Sequence, residues 1–136
     1  MEQAISRFSK NPAGYVAANR GRIAHLSGLA AEDQVVRLYQ SQGLTLVDKR
    51  WRGTCGEIDL VFQNGAQLIF VEVKKSRSMD AAALKISRRQ IDRIMAAGTE
   101  YVAHQGFSQF VDMRFDAALV DQMGAISILE GALSEF

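Results

Sequence analysis

Residues 56–74, with the sequence GEIDLVFQNGAQLIFVEVK, decide the fold. Two runs rich in Val, Ile, Leu and Phe flank Asn64 and Gly65, an arrangement typical of a β-hairpin with a tight turn. A type I′ turn suits Asn64-Gly65 because both of its central positions need positive φ, and it pairs Gln63 with Ala66. The sequence therefore predicts two antiparallel strands in a defined register.

This register brings acidic residues together across the hairpin. It opposes Glu57 with Glu72, Asp59 with Phe70, and Cys55 with Lys74. Since opposed residues share one side of a sheet, we expect one patch to hold Glu57, Asp59, Glu72 and Lys74. Like charges opposed across strands are destabilising, so the patch favours a bound cation, and carboxylate oxygens suit Mg²⁺ or Mn²⁺. The alternative is a solvated face with exposed, harmless carboxylates.

The apolar residues of the hairpin argue against a fully solvated face. On the carboxylate side we expect Val61, Leu68 and Phe70, and on the opposite side Ile58, Leu60, Val71 and Val73. Both sides are therefore predicted to be at least partly covered. Partly buried carboxylates need partners, which favours a site.

Segments on either side of the hairpin complete an α/β pattern. A helix is predicted over residues 30–42, where apolar residues recur at helical spacing and Gly43 follows as a stop signal. A second helix is predicted after Ser87, which forms a capping box with Gln90. Strands are predicted at Leu44 to Trp51, Glu57 to Gln63, Gln67 to Lys74, Met113 to Val120 and Ala125 to Leu129. The expected fold is a mixed central sheet flanked by helices, in the order α-β-β-β-α-β-β.

Length and composition indicate one globular domain. The chain has 136 residues, of which 48% are hydrophobic and 23% charged, which suits a domain with a real core. We expect residues 1–27 to form a partly flexible N-terminal arm and residues 28–136 to form the domain. The apolar runs are too short to span a bilayer, and the first residues lack the apolar stretch of a signal peptide. We therefore expect a cytoplasmic protein with no membrane partner. Cys55 is the only cysteine, so no internal disulfide is expected, which fits a reducing compartment.

The charges are distributed unevenly along the chain. Between Glu72 and Met95 seven basic residues accompany three acidic ones, whereas the chain from Asp112 onward has five acidic residues and one basic residue. A polyanion is attracted to the first region and repelled by the second. The expected nucleic-acid contacts are Lys75, Arg77, Arg88, Arg89, Arg93, Trp51 and Arg52. A solvated helix face is the alternative for the basic stretch, and a core position is the alternative for Trp51.

Two strings in the hairpin resemble a known nuclease signature. Gly56-Glu57-Ile58-Asp59-Leu60, followed by Phe70-Val71-Glu72-Val73-Lys74, is similar to the PD-(D/E)xK motif. More closely, the chain resembles the bacterial YraN-like family, whose members are predicted to share the restriction-endonuclease-like fold. The likeness extends from about Gly28 to Val120 and includes the strand Met113-Arg114-Phe115-Asp116. The resemblance implies a restriction-endonuclease-like α/β fold.

The resemblance also implies roles for individual hairpin residues. Asp59 and Glu72 match the metal ligands of such nucleases. Val73 matches a ligand that acts through its backbone carbonyl. Lys74 matches the catalytic group that positions the base or stabilises developing charge.

Two helical residues extend the implied site. Glu32 matches the acidic residue on the first helix of such nucleases, and a helix-edge salt bridge is the alternative. Gln90 matches a position that carries lysine in YraN-like proteins and glutamine elsewhere in the superfamily. Its alternative is the capping box begun by Ser87.

The sequence as a whole predicts a metal-dependent endonuclease or phosphodiesterase. Mg²⁺ or Mn²⁺ is the expected cofactor, and nucleic acid, with DNA favoured, is the expected partner. One alternative is a non-catalytic nucleic-acid-binding module with the same fold. Another is a homodimeric interaction protein that uses a strand edge near the C-terminus.

Overall fold

The computed structural model describes residues 28–108 and 110–132, so the predicted arm at residues 1–27 lies outside the described residues. Its elements are α1 (residues 28–41), β1 (Thr45–Arg52), β2 (Glu57–Asn64), β3 (Gln67–Lys75), α2 (Met79–Leu84), α3 (Arg88–His104), β4 (Asp112–Val120) and β5 (Ile126–Leu129). The prediction of a mixed α/β fold is confirmed, and the order differs from it by one additional helix, α2.

The five strands form one sheet in the order β1-β2-β3-β4-β5. The first three strands form an antiparallel meander, whose second half is the predicted hairpin. β4 is parallel to β3, and β5 is antiparallel to β4. Parallel neighbours need a long crossover connection, which α2 and α3 provide. The sheet is therefore mixed.

The additional helix α2 carries little signal in the sequence. It has six residues, and Ala82 is its buried residue, so no apolar periodicity marks it. The Ser78 side chain begins the helix by accepting the Ala81 N–H at 3.1 Å.

Across the described segments, no helix has the length and apolar character needed to cross a membrane.

The β2–β3 hairpin differs from its predicted register by one residue on each strand. Asn64 pairs with Gln67, so the central turn residues are Gly65 and Ala66. Gly65 has a φ of 62°, and Ala66 has no positive φ. A positive φ at the first central position alone is the pattern of a type II′ turn, which favours glycine there. The predicted type I′ turn is therefore wrong, although within the paired residues 60–64 and 67–71 the same residues still share each side.

The corrected register changes which residues lie level with one another. The β2–β3 ladder ends at the pair Leu60–Val71. Continuing it brings Asp59 level with Glu72, and not with Phe70 as predicted. The two strands diverge beyond this pair, which opens space at that end of the hairpin.

Helices cover both faces of the sheet. On one face, Ala31, Val35, Val36 and Tyr39 of α1 pack with Leu60, Phe62, Ile69 and Val71. On the other face, Ile91, Ile94, Ala97 and Tyr101 of α3 pack with Val61, Leu68, Phe70 and Phe115. The prediction that both sides of the hairpin are covered is confirmed.

α3 approaches the sheet closely at Gly98. A Cβ atom at this position would lie 2.7 Å from the Phe115 ring, which stacks on Phe70 with a centroid distance of 5.1 Å. The absence of a side chain therefore lets the helix lie directly on the two rings.

Ile58 is an exception to the predicted sidedness of β2. It packs in the α3-side cluster with Val61 and Phe70, although the prediction placed it on the side of Leu60. Residues two apart on a regular strand share a side, so the alternation of β2 is broken at Asp59. The break coincides with the end of the ladder to β3.

Candidate active site

Asp59 and Glu72 form the centre of the candidate site. Both lie where β2 and β3 diverge, and Glu72 is only 7% exposed. Asp59 Oδ2 accepts a hydrogen bond from the Val73 N–H at 2.8 Å. Burial, and next the charge of Glu72, raise the pKa of Asp59 to about 7. Two carboxylates held side by side in a partly buried position repel each other, and a cation relieves that repulsion.

Lys74 and Gln90 contact the same oxygen of Glu72. Lys74 Nζ lies 2.9 Å from Glu72 Oε2, and Gln90 Nε2 donates to this oxygen at 3.3 Å. One half of the predicted capping box is confirmed, because Ser87 Oγ accepts the Gln90 N–H at 3.1 Å. The Gln90 side chain extends to Glu72, so this residue connects the start of α3 with the site.

Two open clefts meet at the Asp59–Glu72 pair. The first is lined by Gly56, Glu57, Asp59, Glu72, Gln90, Arg93 and Ile94. The second is lined by Gly28, Ala31, Glu32, Asp59, Glu72, Val73, Lys74 and Lys75. The pair can therefore be approached both from the side of α3 and from the side of α1.

Glu32 reaches the second cleft from α1. Its side chain is 14% exposed, and Arg50 Nε donates to Glu32 Oε1 at 3.1 Å. Burial, and next the charge of Asp59, raise the pKa of Glu32, while Arg50 opposes this rise. Glu32 is thus a member of a helix-edge salt bridge and also a neighbour of the carboxylate pair.

Glu57 differs from its predicted role. It lies opposite Arg52 in the β1–β2 ladder, and Arg52 Nη2 is 2.9 Å from Glu57 Oε2. The predicted opposition of Glu57 and Glu72 is therefore wrong, and the Glu57 charge is balanced from the neighbouring strand. Glu57 remains at the first cleft, and the central repulsion lies between Asp59 and Glu72.

Similarity to known proteins identifies the family. Residues 31–120 match the Uncharacterised protein family UPF0102. The chain belongs to UPF0102. UPF0102 proteins of Roseobacter denitrificans and Ruegeria pomeroyi are 53% and 48% identical to it, each over 115 residues, covering 85% of this chain and 89% and 94% of the respective relatives. A UPF0102 protein of Dinoroseobacter shibae is 36% identical over 129 residues, covering 95% of this chain and 96% of the relative. The predicted YraN-like membership is confirmed at the level of this family.

The donor set of the candidate site limits the kind of ion that it could hold. Within residues 28–108 and 110–132, no group of three or more His, Cys, Asp and Glu side chains is arranged to hold a metal ion. Asp59 and Glu72 offer hard oxygen ligands from two side chains. Mg²⁺ keeps several waters and binds proteins through one or two carboxylates, whereas Ca²⁺ and structural Zn²⁺ need more protein ligands. The pair fits a hydrated Mg²⁺ or Mn²⁺ ion and does not fit an all-protein cage.

Cationic residues of this UPF0102 chain lie on both sides of the carboxylate pair. Arg93 lines the first cleft, and Lys75 lines the second, where burial lowers the Lys75 pKa. Three further predicted contacts, Arg77, Arg88 and Arg89, are exposed. Two of the predicted nucleic-acid contacts therefore lie beside the site, and three lie on the outer surface.

Trp51 packs against the α3 core. Its ring meets Tyr101 edge to face with a centroid distance of 5.2 Å and meets His104 at 6.1 Å. The surroundings of Trp51 therefore agree with the alternative prediction, a position in the core. A nucleic-acid contact by Trp51 or by the neighbouring Arg52 stays a prediction.

Glu100 holds the loop before Gly56, a residue that lines the first cleft, and no sequence motif marks it. Its carboxylate accepts the backbone N–H groups of Thr54 at 2.9 Å and Cys55 at 3.0 Å. These bonds, that from Thr54 first, lower the pKa of Glu100 to about 2. Glu100 thereby ties the loop before Gly56 to α3. Cys55 lies in this loop, so its predicted position opposite a β3 residue is wrong.

Proposed function

We propose that this UPF0102 protein is a metal-dependent phosphodiesterase that cleaves nucleic acid, with DNA favoured over RNA, and that it belongs to the PD-(D/E)xK superfamily. One observation carries the proposal: Asp59 and Glu72 lie side by side at the junction of two clefts, and the Lys74 ammonium forms an ion pair with Glu72. The pair is under electrostatic repulsion, and a hydrated divalent ion relieves it.

Asp59 and Glu72 would hold the ion, and neighbouring groups orient them. A bound Mg²⁺ or Mn²⁺ supplies a Lewis acid for a phosphate oxygen and lowers the pKa of a water molecule. Gln90 holds one oxygen of Glu72, and the Val73 N–H holds one oxygen of Asp59. Both carboxylates are therefore oriented before any ligand arrives.

Lys74 provides a positive charge beside the pair. Its ammonium lies 2.9 Å from Glu72 Oε2 and lines the second cleft. Negative charge develops on the phosphate oxygens when a phosphodiester is attacked, and a fixed ammonium stabilises that charge more strongly in the transition state than in the ground state. Lys74 is therefore assigned the charge-stabilising role.

A nucleic acid suits the charges around the pair. Arg93 and Lys75 lie in clefts on opposite sides of the carboxylates, so phosphates on each side of the cleaved bond would meet a cation. The preference for DNA rests on the resemblance to restriction-endonuclease-like proteins.

A non-catalytic nucleic-acid-binding module is the second candidate. Two observations favour it. Among the described residues, no third acidic side chain joins Asp59 and Glu72 in a group that could hold a metal ion. In addition, Lys74 already pairs with Glu72, and Arg50 already pairs with Glu32. Such a module would bind nucleic acid through the same cations and cleave nothing.

Cleavage assays on wild-type protein and Lys74→Met separate the two candidates. Wild type is expected to cut at least one substrate among branched, single-stranded and duplex DNA and RNA with Mn²⁺, and none with EDTA. Lys74→Met is expected to cut about 100-fold more slowly or worse, because the ammonium acts on developing charge. It should retain stabilisation by Mn²⁺, which the lysine does not hold. Lys49→Met is the matched control, since Lys49 is exposed and pairs with Asp33 outside the clefts.

Wild-type protein that cuts none of these substrates would favour the binding module. A Lys74→Met preparation that cuts as fast as wild type would point to a contaminating nuclease and remove the support for catalysis.

A further inference from the structure

Arg50 has an unusual backbone conformation for a strand residue. Its φ is 49°, and no other non-glycine residue in the described part of the chain has a positive φ. Residues with side chains rarely adopt this left-handed conformation, and those that do cluster at functional sites. Arg50 lies between two pairs of the β1–β2 ladder and is level with Asp59.

This conformation allows two consecutive basic side chains to reach α1. Lys49 Nζ lies 3.4 Å from Asp33 Oδ1, and Arg50 Nε lies 3.1 Å from Glu32 Oε1. Consecutive side chains of a regular strand point to opposite faces, so the arrangement requires a break in the alternation. Trp51 then returns to the α3 face. The left-handed backbone of Arg50 thus accommodates its contact with Glu32.

Glu32 is the inner member of the ion pair. The Glu32 side chain is 14% exposed, and that of Arg50 is 43% exposed. Glu32 also lines the second cleft together with Asp59 and Glu72. Arg50 is therefore the outer partner of the pair. It contacts Glu32, which is the α1 carboxylate that shares a cleft with Asp59 and Glu72.

We propose that Arg50 is a positioning residue that withholds Glu32 from the site until nucleic acid binds, an inference that rests on the function proposed above. In the free protein the guanidinium neutralises Glu32. When a strand enters the second cleft, the guanidinium contacts a phosphate, and Glu32 becomes a third carboxylate for the ion. A guanidinium binds carboxylate and phosphate with the same fork of donors, so the exchange replaces one anionic partner with another.

Arg50→Asn tests this exchange with little change to the backbone, since asparagine tolerates the left-handed conformation. The variant is expected to bind Mn²⁺ about 3–10-fold more tightly without nucleic acid, because a cation next to the site is gone and Glu32 is released. It is expected to lower the slope of log affinity for duplex DNA against log salt by about 1, because one phosphate contact is lost. Melting curves titrated with Mn²⁺ and DNA binding at several salt concentrations measure the two effects.

Two controls show whether the effect depends on Glu32. Lys49→Asn breaks the neighbouring pair on the same strand and should leave Mn²⁺ affinity within about twofold of wild type, since Asp33 is outside the clefts and Lys49 acts on Glu32 more weakly than Arg50 does. In a Glu32→Gln background, Arg50→Asn should no longer tighten Mn²⁺ binding. Arg50→Gly, which is unstrained at positive φ, should reproduce the Arg50→Asn result if that variant folds poorly.

One outcome overturns the inference alone: Mn²⁺ stabilises wild type, but Arg50→Asn and Arg50→Gly bind Mn²⁺ and DNA as wild type does. Arg50 would then have only a structural role between β1 and α1, and the proposed function would stand. If Mn²⁺ does not stabilise wild type, the metal site itself is wrong, and the role of Arg50 falls with it.

Discussion

The sheet carries buried carboxylates in two places, and their surroundings differ. Asp116 on β4 is 0% exposed. It accepts the Tyr39 hydroxyl at 2.8 Å, two Arg114 nitrogens at 2.9 and 2.8 Å, and the Gly131 N–H at 2.9 Å. Four donors from its own chain therefore satisfy this carboxylate.

Asp59 on β2 has a poorer set of partners. The Val73 N–H donates to it, but Glu72 beside it is a second carboxylate that raises the Asp59 pKa. A buried charge destabilises a protein unless it is paired, so this arrangement costs stability. The same sheet thus holds two kinds of buried carboxylate. Asp116 has a full set of hydrogen-bond donors, whereas the Asp59–Glu72 pair has too little positive charge around it to balance both carboxylates. Local conflicts of this kind are expected where a protein binds a ligand.

Removing the satisfied carboxylate should have the largest effect. Asp116→Ala leaves the Tyr39 hydroxyl and Arg114 without their acceptor, so the free energy of unfolding is expected to fall by about 3–5 kcal/mol. Urea denaturation measures the loss. Asp112→Ala is the matched control, because Asp112 is an exposed β4 residue that accepts one bond from Gln67. A loss no greater than that of the control would mean that the network around Asp116 contributes little.

Removing the poorly paired charge should have a smaller effect of opposite sign. The pKa of Asp59 in the folded protein is about 7, above its ordinary value of 3.8, so folding takes up a proton between these values. Wild-type stability is therefore expected to fall as pH rises from about 4 to about 7. Asp59→Asn keeps an oxygen for the Val73 N–H and should be more stable than wild type by about 1–2 kcal/mol at pH 8 in EDTA.

This advantage should disappear at about pH 4, where Asp59 is protonated in the folded wild type. Urea unfolding in EDTA at the two pH values tests the prediction. Equal destabilisation of Asp59→Asn at both values would show that the Asp59 charge is not under strain.

The smallest expected effect concerns the cations beside the pair. Arg93→Ala should reduce the slope of log DNA affinity against log salt by about 1, because Arg93 lines the first cleft. Arg37→Ala should leave the slope unchanged, since Arg37 is exposed on α1 and lines neither cleft. Binding measurements across a salt series compare the two. Identical slopes in both variants would place the contact surface elsewhere.

The hairpin and its carboxylates could be predicted because they rest on local patterns. Apolar alternation and Asn64-Gly65 predict two strands and a tight turn. The register error came from the turn type, because Gly65 alone takes a positive φ and Asn64 stays in the strand. Asp59 and Glu72 nevertheless lie side by side, because the shift of one residue on both strands brings Asp59 level with Glu72.

Other parts of the site depend on contacts between distant segments. Glu100 is 46 residues from Thr54, and Arg50 is 18 residues from Glu32. Neither pair produces a local motif, because the partners meet only after the helices pack on the sheet. The side of Ile58 was mispredicted for a related reason: its position depends on where two strands diverge, which alternation alone does not reveal.

The most direct test of the central claim compares thermal melts of wild type, Asp59→Asn and Asp112→Asn, each with EDTA and with Mn²⁺. An ion at about ten times its dissociation constant stabilises the folded state by roughly 1.4 kcal/mol, which raises the melting midpoint of a domain of this size by about 2–6 °C. We predict this rise in wild type and in Asp112→Asn, and little or none in Asp59→Asn, which lacks a ligand and part of the repulsion. Equal shifts in all three proteins, or no shift in wild type, would contradict a metal site at Asp59 and Glu72.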